Sequence, residues 1–144
     1  MEKLVQRCFT VQTALNFLKT AIDDYKSLED KRYVKHLRNS KIQSFEFCVD
    51  TLHKFLKLYF KKVSGSNIEP SPKPVFRYCL KAKITSEEET RKLLLMVDDR
   101  NMSSHTYHEP LAAKLNNKIE DYYKLMVAIL DRVKENLPPQ KTIV

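Results

Sequence analysis

A single glycine, Gly65, stands in this chain of 144 residues. Tight hairpin turns place residues at positive φ and draw heavily on glycine, so the sequence argues against a β fold built on such turns. Gly-rich phosphate loops and dinucleotide fingerprints are ruled out with it. Long helices joined by short polar connections remain, and the apolar periodicity agrees with them.

Between residues 2 and 26 apolar side chains recur at Leu4, Cys8, Val11, Leu15, Leu18, Ile22 and Tyr25, which is the stripe of an amphipathic helix. After a break at residues 27–30 the pattern resumes as far as Lys62, through Ile42, Phe45, Val49, Leu52, Phe55 or Leu56, and Tyr59. Ser40 is either the N-cap of a separate helix or an interior residue of one long helix. Residues 63–73 hold the glycine and two of the six prolines and form the clearest linker. Ser71-Pro72 then reads as an N-cap followed by proline at the first helical position, opening a short helix to about Lys83 with Val75, Cys79 and Leu80 inward. Thr85–Glu88 or Ser86–Glu89 supplies a capping box for the next helix, which carries Leu93, Leu94, Met96 and Val97 and reaches about Asn101. The last helix begins near Pro110 with the stripe Leu111, Leu115, Ile119, Tyr122, Met126, Ile129 and Val133. Pro138-Pro139 stops it and leaves residues 138–144 as a frayed tail. The expectation is one all-α domain over residues 1–144, an antiparallel bundle of four to five helices.

A domain of this length buries enough surface to hold a core without a metal or a disulfide. Cys8, Cys48 and Cys79 are odd in number, widely spaced and set in apolar patterns, so each reads as a small buried hydrophobe. No apolar run is long enough for a membrane span, and the N-terminus opens an amphipathic helix where a signal peptide would show an apolar stretch. The expected compartment is the cytoplasm.

The net charge of +8 is unevenly spread: residues 1–84 hold 17 Lys and Arg against 8 Asp and Glu, and residues 85–144 hold 9 against 10. The densest basic run spans residues 31–41, with Arg32, Lys35 and Arg38 as candidate contacts to a polyanion such as RNA or a nucleotide. A solvated helix face is the plainer reading of the same run. His36 and His53 sit among lysines and read as surface residues.

Between the last two helices the polar stretch from Asp98 to Pro110 is dense in reactive side chains. Arg100-Asn101-Met102-Ser103-Ser104-His105 is an R-x4-H motif, and with Tyr107 it becomes R-x4-H-x-Y. Together with Phe45-Glu46-Phe47 in the second helix and Ser71-Pro72 opening the third, this resembles the HEPN superfamily. Within it the likeness is to the nucleotidyltransferase substrate-binding group, and it covers most of the chain. The resemblance implies a helical bundle that forms homodimers, paired with a minimal nucleotidyltransferase. It also implies a metal-independent RNase acting as the toxin of a toxin–antitoxin pair. The alternative is a non-catalytic subunit that binds a nucleotide or other substrate for its partner enzyme.

The chemistry of the stretch suits phosphate. A guanidinium is always charged and grips two phosphate oxygens in a fixed fork, and a histidine transfers protons near neutral pH. Arg100 and His105 supply those two groups, with Asn101 to orient the phosphate or the histidine. On one helix they would point about 140° apart, so the chain must bend between them. The plainer alternatives are that Arg100 pairs with Asp98, Asp99 or Glu109 and that His105 caps the following helix. Tyr107 lies two residues beyond His105 and is the candidate acceptor of a nucleotidyl group from the partner, with Ser103, Ser104 and Thr106 as rivals. His105 and His108 do not have a zinc-protease spacing, and neither a metal nor a cofactor is expected.

Overall fold

The computed structural model describes residues 1–103 and 109–137 of the chain. Helix α1 runs Glu2–Lys26, and a single 3-10 turn at Lys31–Tyr33 leads into α2, Val34–Ser64. Helix α3 is short, Pro72–Lys81; α4 spans Glu87–Met102 and α5 spans Glu109–Lys134. Helix α2 is continuous through Ser40, so the basic run 34–41 is helical and belongs to its first turns.

Each end has a local cause. Ser27 Oγ bonds the Asp23 carbonyl (3.0 Å) as α1 ends, and the Asp30 carboxylate accepts from the Arg32 amide (3.0 Å) to start the 3-10 turn. Gly65 closes α2 at φ 66°, with its amide on the Lys61 carbonyl and the Ser66 amide on that of Phe60, so the chain's one glycine sits where a left-handed residue is needed. Lys83, at φ 61°, holds the same backbone region after α3 without being glycine. Of the two capping boxes, Ser86–Glu89 forms: Ser86 Oγ accepts from the Glu89 amide (3.1 Å) and Glu89 Oε1 from the Ser86 amide (3.0 Å).

Cross-helix contacts fix the directions. Lys41 reaches Asn116, and Phe45 stacks on Tyr122 at 5.7 Å, so α2 and α5 run the same way. Lys26 meets Glu120 and Lys134 meets Gln12, so α1 runs opposite to both. Asp99 meets Tyr122 while Glu89 meets Arg132, so α4 opposes α5. The four long helices thus form an antiparallel bundle, and one core of Leu, Ile, Val, Phe, Cys and Met side chains runs through it. All three cysteines are buried, and burial pushes the thiols of Cys48 and Cys79 up to about 12. On α3 the inward residues are Val75, Phe76 and Cys79, whereas Leu80 is 37% exposed; the short helix buries one narrow face and the larger ring takes it. Among the described residues no helix is long and apolar enough to cross a membrane.

Candidate functional site

The candidate site lies at the C-terminal end of α4, and the other end of that helix sets its position. Glu89 caps its own helix and also receives both nitrogens of the Arg132 fork from α5 (2.9 Å each). Arg132 further donates to the Ile84 carbonyl (2.9 Å), so the turn before α4 is tied to α5 as well. The Arg132 guanidinium and the Ser86 amide hold the Glu89 carboxyl down at about 2.

At the far end, three successive residues reach three different helices. Asp98 pairs with Lys73 of α3 (2.6 Å). Asp99 accepts from the Tyr122 hydroxyl (2.5 Å) and from Lys118 (3.3 Å), both on α5. Burial, and then the Asp99 carboxylate, raise Tyr122 above the ordinary phenol range, so the hydroxyl keeps its proton and donates. Arg100 turns to α2. Its Nε and Nη2 donate to the two carboxylate oxygens of Asp50 (3.1 and 3.0 Å), and Nη1 donates to Glu46 Oε2 (2.9 Å). Ser103, itself buried, shares its one hydroxyl proton between the Arg100 carbonyl (2.5 Å) and the same Glu46 oxygen (2.9 Å). Asp50 above all raises the pKa of Arg100.

Arg100 therefore does not pair with Asp98, Asp99 or Glu109. Its partners lie fifty and more residues earlier, one turn apart on the edge of α2. Glu109 belongs instead to Arg38, which donates to both its oxygens (3.0 Å each), with Lys35 at 3.8 Å. Arg38 is 12% exposed, so of the three basic candidates it is packed into the bundle rather than offered to solvent. Arg32 is exposed and folds back on Asp30 (2.6 Å), and Lys35 is exposed. Lys41, from the same basic run, is buried: its ammonium sits 4.7 Å from the Tyr25 ring centroid and donates to the Asn116 carbonyl (3.3 Å). Burial lowers its pKa. His53, read from sequence as a surface residue, is buried, and burial lowers its pKa too. His36 is exposed.

Asn101 is exposed at the end of α4. His105 and Tyr107, with Ser104, Thr106 and His108, lie outside the described residues. The described chain stops at Ser103, beside Glu46, and resumes at Glu109, beside Arg38. A small cavity of about 100 Å³ lies between the end of α4 and α5, lined by Asp99, Ser103, Lys114 and Lys118 among others. Among the described residues no three His, Cys, Asp or Glu side chains converge as a metal site would require.

The family model described as nucleotidyltransferase substrate binding protein like matches residues 6–135. The chain belongs to that family. A solved structure, ttk003001694 from Thermus thermophilus, is 35% identical, covers 86% of this chain and 98% of its own, and superposes with a TM-score of 0.77. HI0074 from Haemophilus influenzae has the same TM-score, 0.77, at 19% identity, covering 88% of this chain and 98% of its own. Its structure is described as revealing the fold of a substrate-binding domain of a nucleotidyltransferase, and at that identity the likeness concerns the fold. A search of curated proteins returns no match. For this member of the nucleotidyltransferase substrate-binding family, the resemblance read from Arg100-Asn101, His105 and Tyr107 pointed to the right group. The residues it missed are Glu46 and Asp50 as partners of Arg100. Their four-residue spacing on α2, just outside the core stripe, was the available signal.

Proposed function

We propose that this protein is the substrate-binding subunit of a two-component nucleotidyltransferase, and that Arg100 is the cation receiving a phosphate-bearing ligand. The family match over residues 6–135 carries the first half of this reading. The second rests on chemistry: Arg100 is a partly exposed guanidinium on a helix fixed at both ends, with Asn101 beside it and the R-x4-H stretch following. Fixing the fork in advance lowers the ordering cost of gripping phosphate. The partner is a minimal nucleotidyltransferase, and the working unit is a homodimer. Phe17 and Phe47, 66% and 54% exposed, line one hollow with Ala14 and Ser44 on the outer face of α1 and α2. Rings beside small residues on one patch suit a self-complementary two-fold contact. Co-purification with such an enzyme, and sedimentation of the free subunit at twice 17.0 kDa, are the expected results. A monomer at micromolar concentration that ignores the enzyme overturns the reading.

The motif itself favours a second reading, a metal-independent RNase toxin in which Arg100 holds the scissile phosphate, Asn101 orients it and His105 moves the proton. RNA cleavage that persists in EDTA and vanishes in His105→Ala, with the dimer intact, would establish it; no cleavage at any salt concentration would leave the binding-subunit reading alone. In either case Tyr107 is the proposed acceptor of a nucleotidyl group. Its phenol oxygen would attack the α-phosphorus of ATP, lose its proton and release pyrophosphate, leaving bulk and negative charge beside Arg100. An adduct mapped to Ser103, Ser104 or Thr106 removes Tyr107 from this role. Arg32 and Lys35 are proposed as outlying RNA contacts, with Arg38 behind them. Exchanging Arg32 and Lys35 for glutamine should flatten the salt dependence of RNA binding.

A further inference from the structure

Arg100 already holds an anion of its own. Asp50 spans Nε and Nη2, the two-point edge that a phosphate group would grip. Glu46 takes Nη1 from the side, so one guanidinium faces two carboxylates. The two acids differ in how they are held. Glu46 is 24% exposed and has a second bond from the buried Ser103, whereas Asp50 is 38% exposed and its described side-chain bonds run to Arg100 alone. The lysines that meet the other two acids of α4 are engaged there, Lys73 with Asp98 and Lys118 with Asp99.

From this asymmetry we infer that Asp50 is a resident competitor at the ligand site: a phosphate reaches Arg100 only by exchange with the Asp50 carboxylate, while Glu46 and Ser103 keep the guanidinium in place. The inference rests on the reading of Arg100 as a phosphate-binding cation and names what regulates it. Exchange is a matter of side-chain rotation, because Asp50 lies at the solvent edge of α2. The resident carboxylate excludes weakly charged anions and admits those carrying enough charge to displace it. A phosphomonoester dianion is therefore favoured over a phosphodiester monoanion.

The two carboxylates consequently have unequal effects. Asp50→Asn keeps the shape and removes the competing charge. A unit charge about 5 Å from a bound phosphate, in a partly solvated site, corresponds to roughly tenfold in affinity. AMP binding, followed through the Arg100 Nε–H resonance and by calorimetry, should therefore strengthen about tenfold in Asp50→Asn and return toward wild type in Asp50→Glu. Glu46→Gln removes a charge as well but also the support that holds the guanidinium, so it should strengthen AMP binding clearly less than Asp50→Asn does. Binding that is Arg100-dependent in the wild type but unchanged or weaker in Asp50→Asn overturns the competitor and leaves Arg100 as a ligand site. If Arg100→Lys and the wild type bind AMP identically, or no variant binds it, the reading of Arg100 fails and the competitor with it.

Discussion

Glu89→Gln separates charge from hydrogen bonding at the start of α4. Glutamine keeps the capping-box geometry with Ser86 but cannot carry the charge that meets Arg132. In the wild type the carboxyl is held at about 2 against an ordinary 4.5. Taken at face value, that depression corresponds to at most ~3.4 kcal/mol of stability at neutral pH. Glu89 is 26% exposed and Arg132 42%, so solvent screening reduces the figure to ~1.5 kcal/mol. The sign follows from linkage: a depressed acid stabilises the fold above its unfolded pKa, and that stability is lost as pH falls from 4.5 toward 2. At pH 3 less than half of it remains, about 0.6 kcal/mol at most. Urea unfolding followed by circular dichroism at pH 7 and pH 3 should show the gap between wild type and Glu89→Gln shrinking by more than half. A gap of equal size at both pH values would mean that the carboxylate charge contributes nothing. A gap absent at pH 7 would mean that the Arg132 pair is energetically idle.

Four further substitutions test other parts of the fold. Lys83→Gly relieves a left-handed backbone at a non-glycine residue and should stabilise by about 1 kcal/mol in the same urea assay, whereas a loss would show that the lysine side chain matters more than its backbone. Lys41→Met should stabilise by ~1 kcal/mol at pH 7, because it removes a buried ammonium. Burial lowers the Lys41 pKa, so the wild type gains stability as pH rises through the folded value, and its deficit against Lys41→Met should close toward pH 10. Tyr122→Phe leaves Asp99 with Lys118 alone and should cost about 1–3 kcal/mol in thermal unfolding. Phe45→Ala empties a fully buried site against Tyr122 and should cost about 3–5 kcal/mol, enough to lower the melting temperature by well over ten degrees.

The helices were legible because burial obeys the periodicity of the chain. Leu4, Cys8, Val11, Leu15, Leu18 and Ile22 all enter the core, as do Phe45, Val49, Leu52 and both Phe55 and Leu56. Local spacing failed where tertiary neighbours decide. Lys41 and His53 carry polar atoms that a one-dimensional reading assigns to solvent, yet Tyr25, Asn116 and the Val49 carbonyl give them places inside. Leu80 and Phe76 exchanged roles because α3 is too short to bury both. Of the site, the Arg100-Asn101 end was readable as a motif. Its partners on α2 were not, because pairing across fifty residues depends on how α2 and α4 face each other, which no spacing within either helix encodes.

Asp98, Asp99 and Arg100 are consecutive, and each holds a different neighbour: α3, α5 and α2. A small rotation of α4 about its axis must therefore strain or slacken all three contacts at once. Lys73 and Lys118 are thus handles on the helix that carries Arg100, and a contact to either would bear on the guanidinium without touching it.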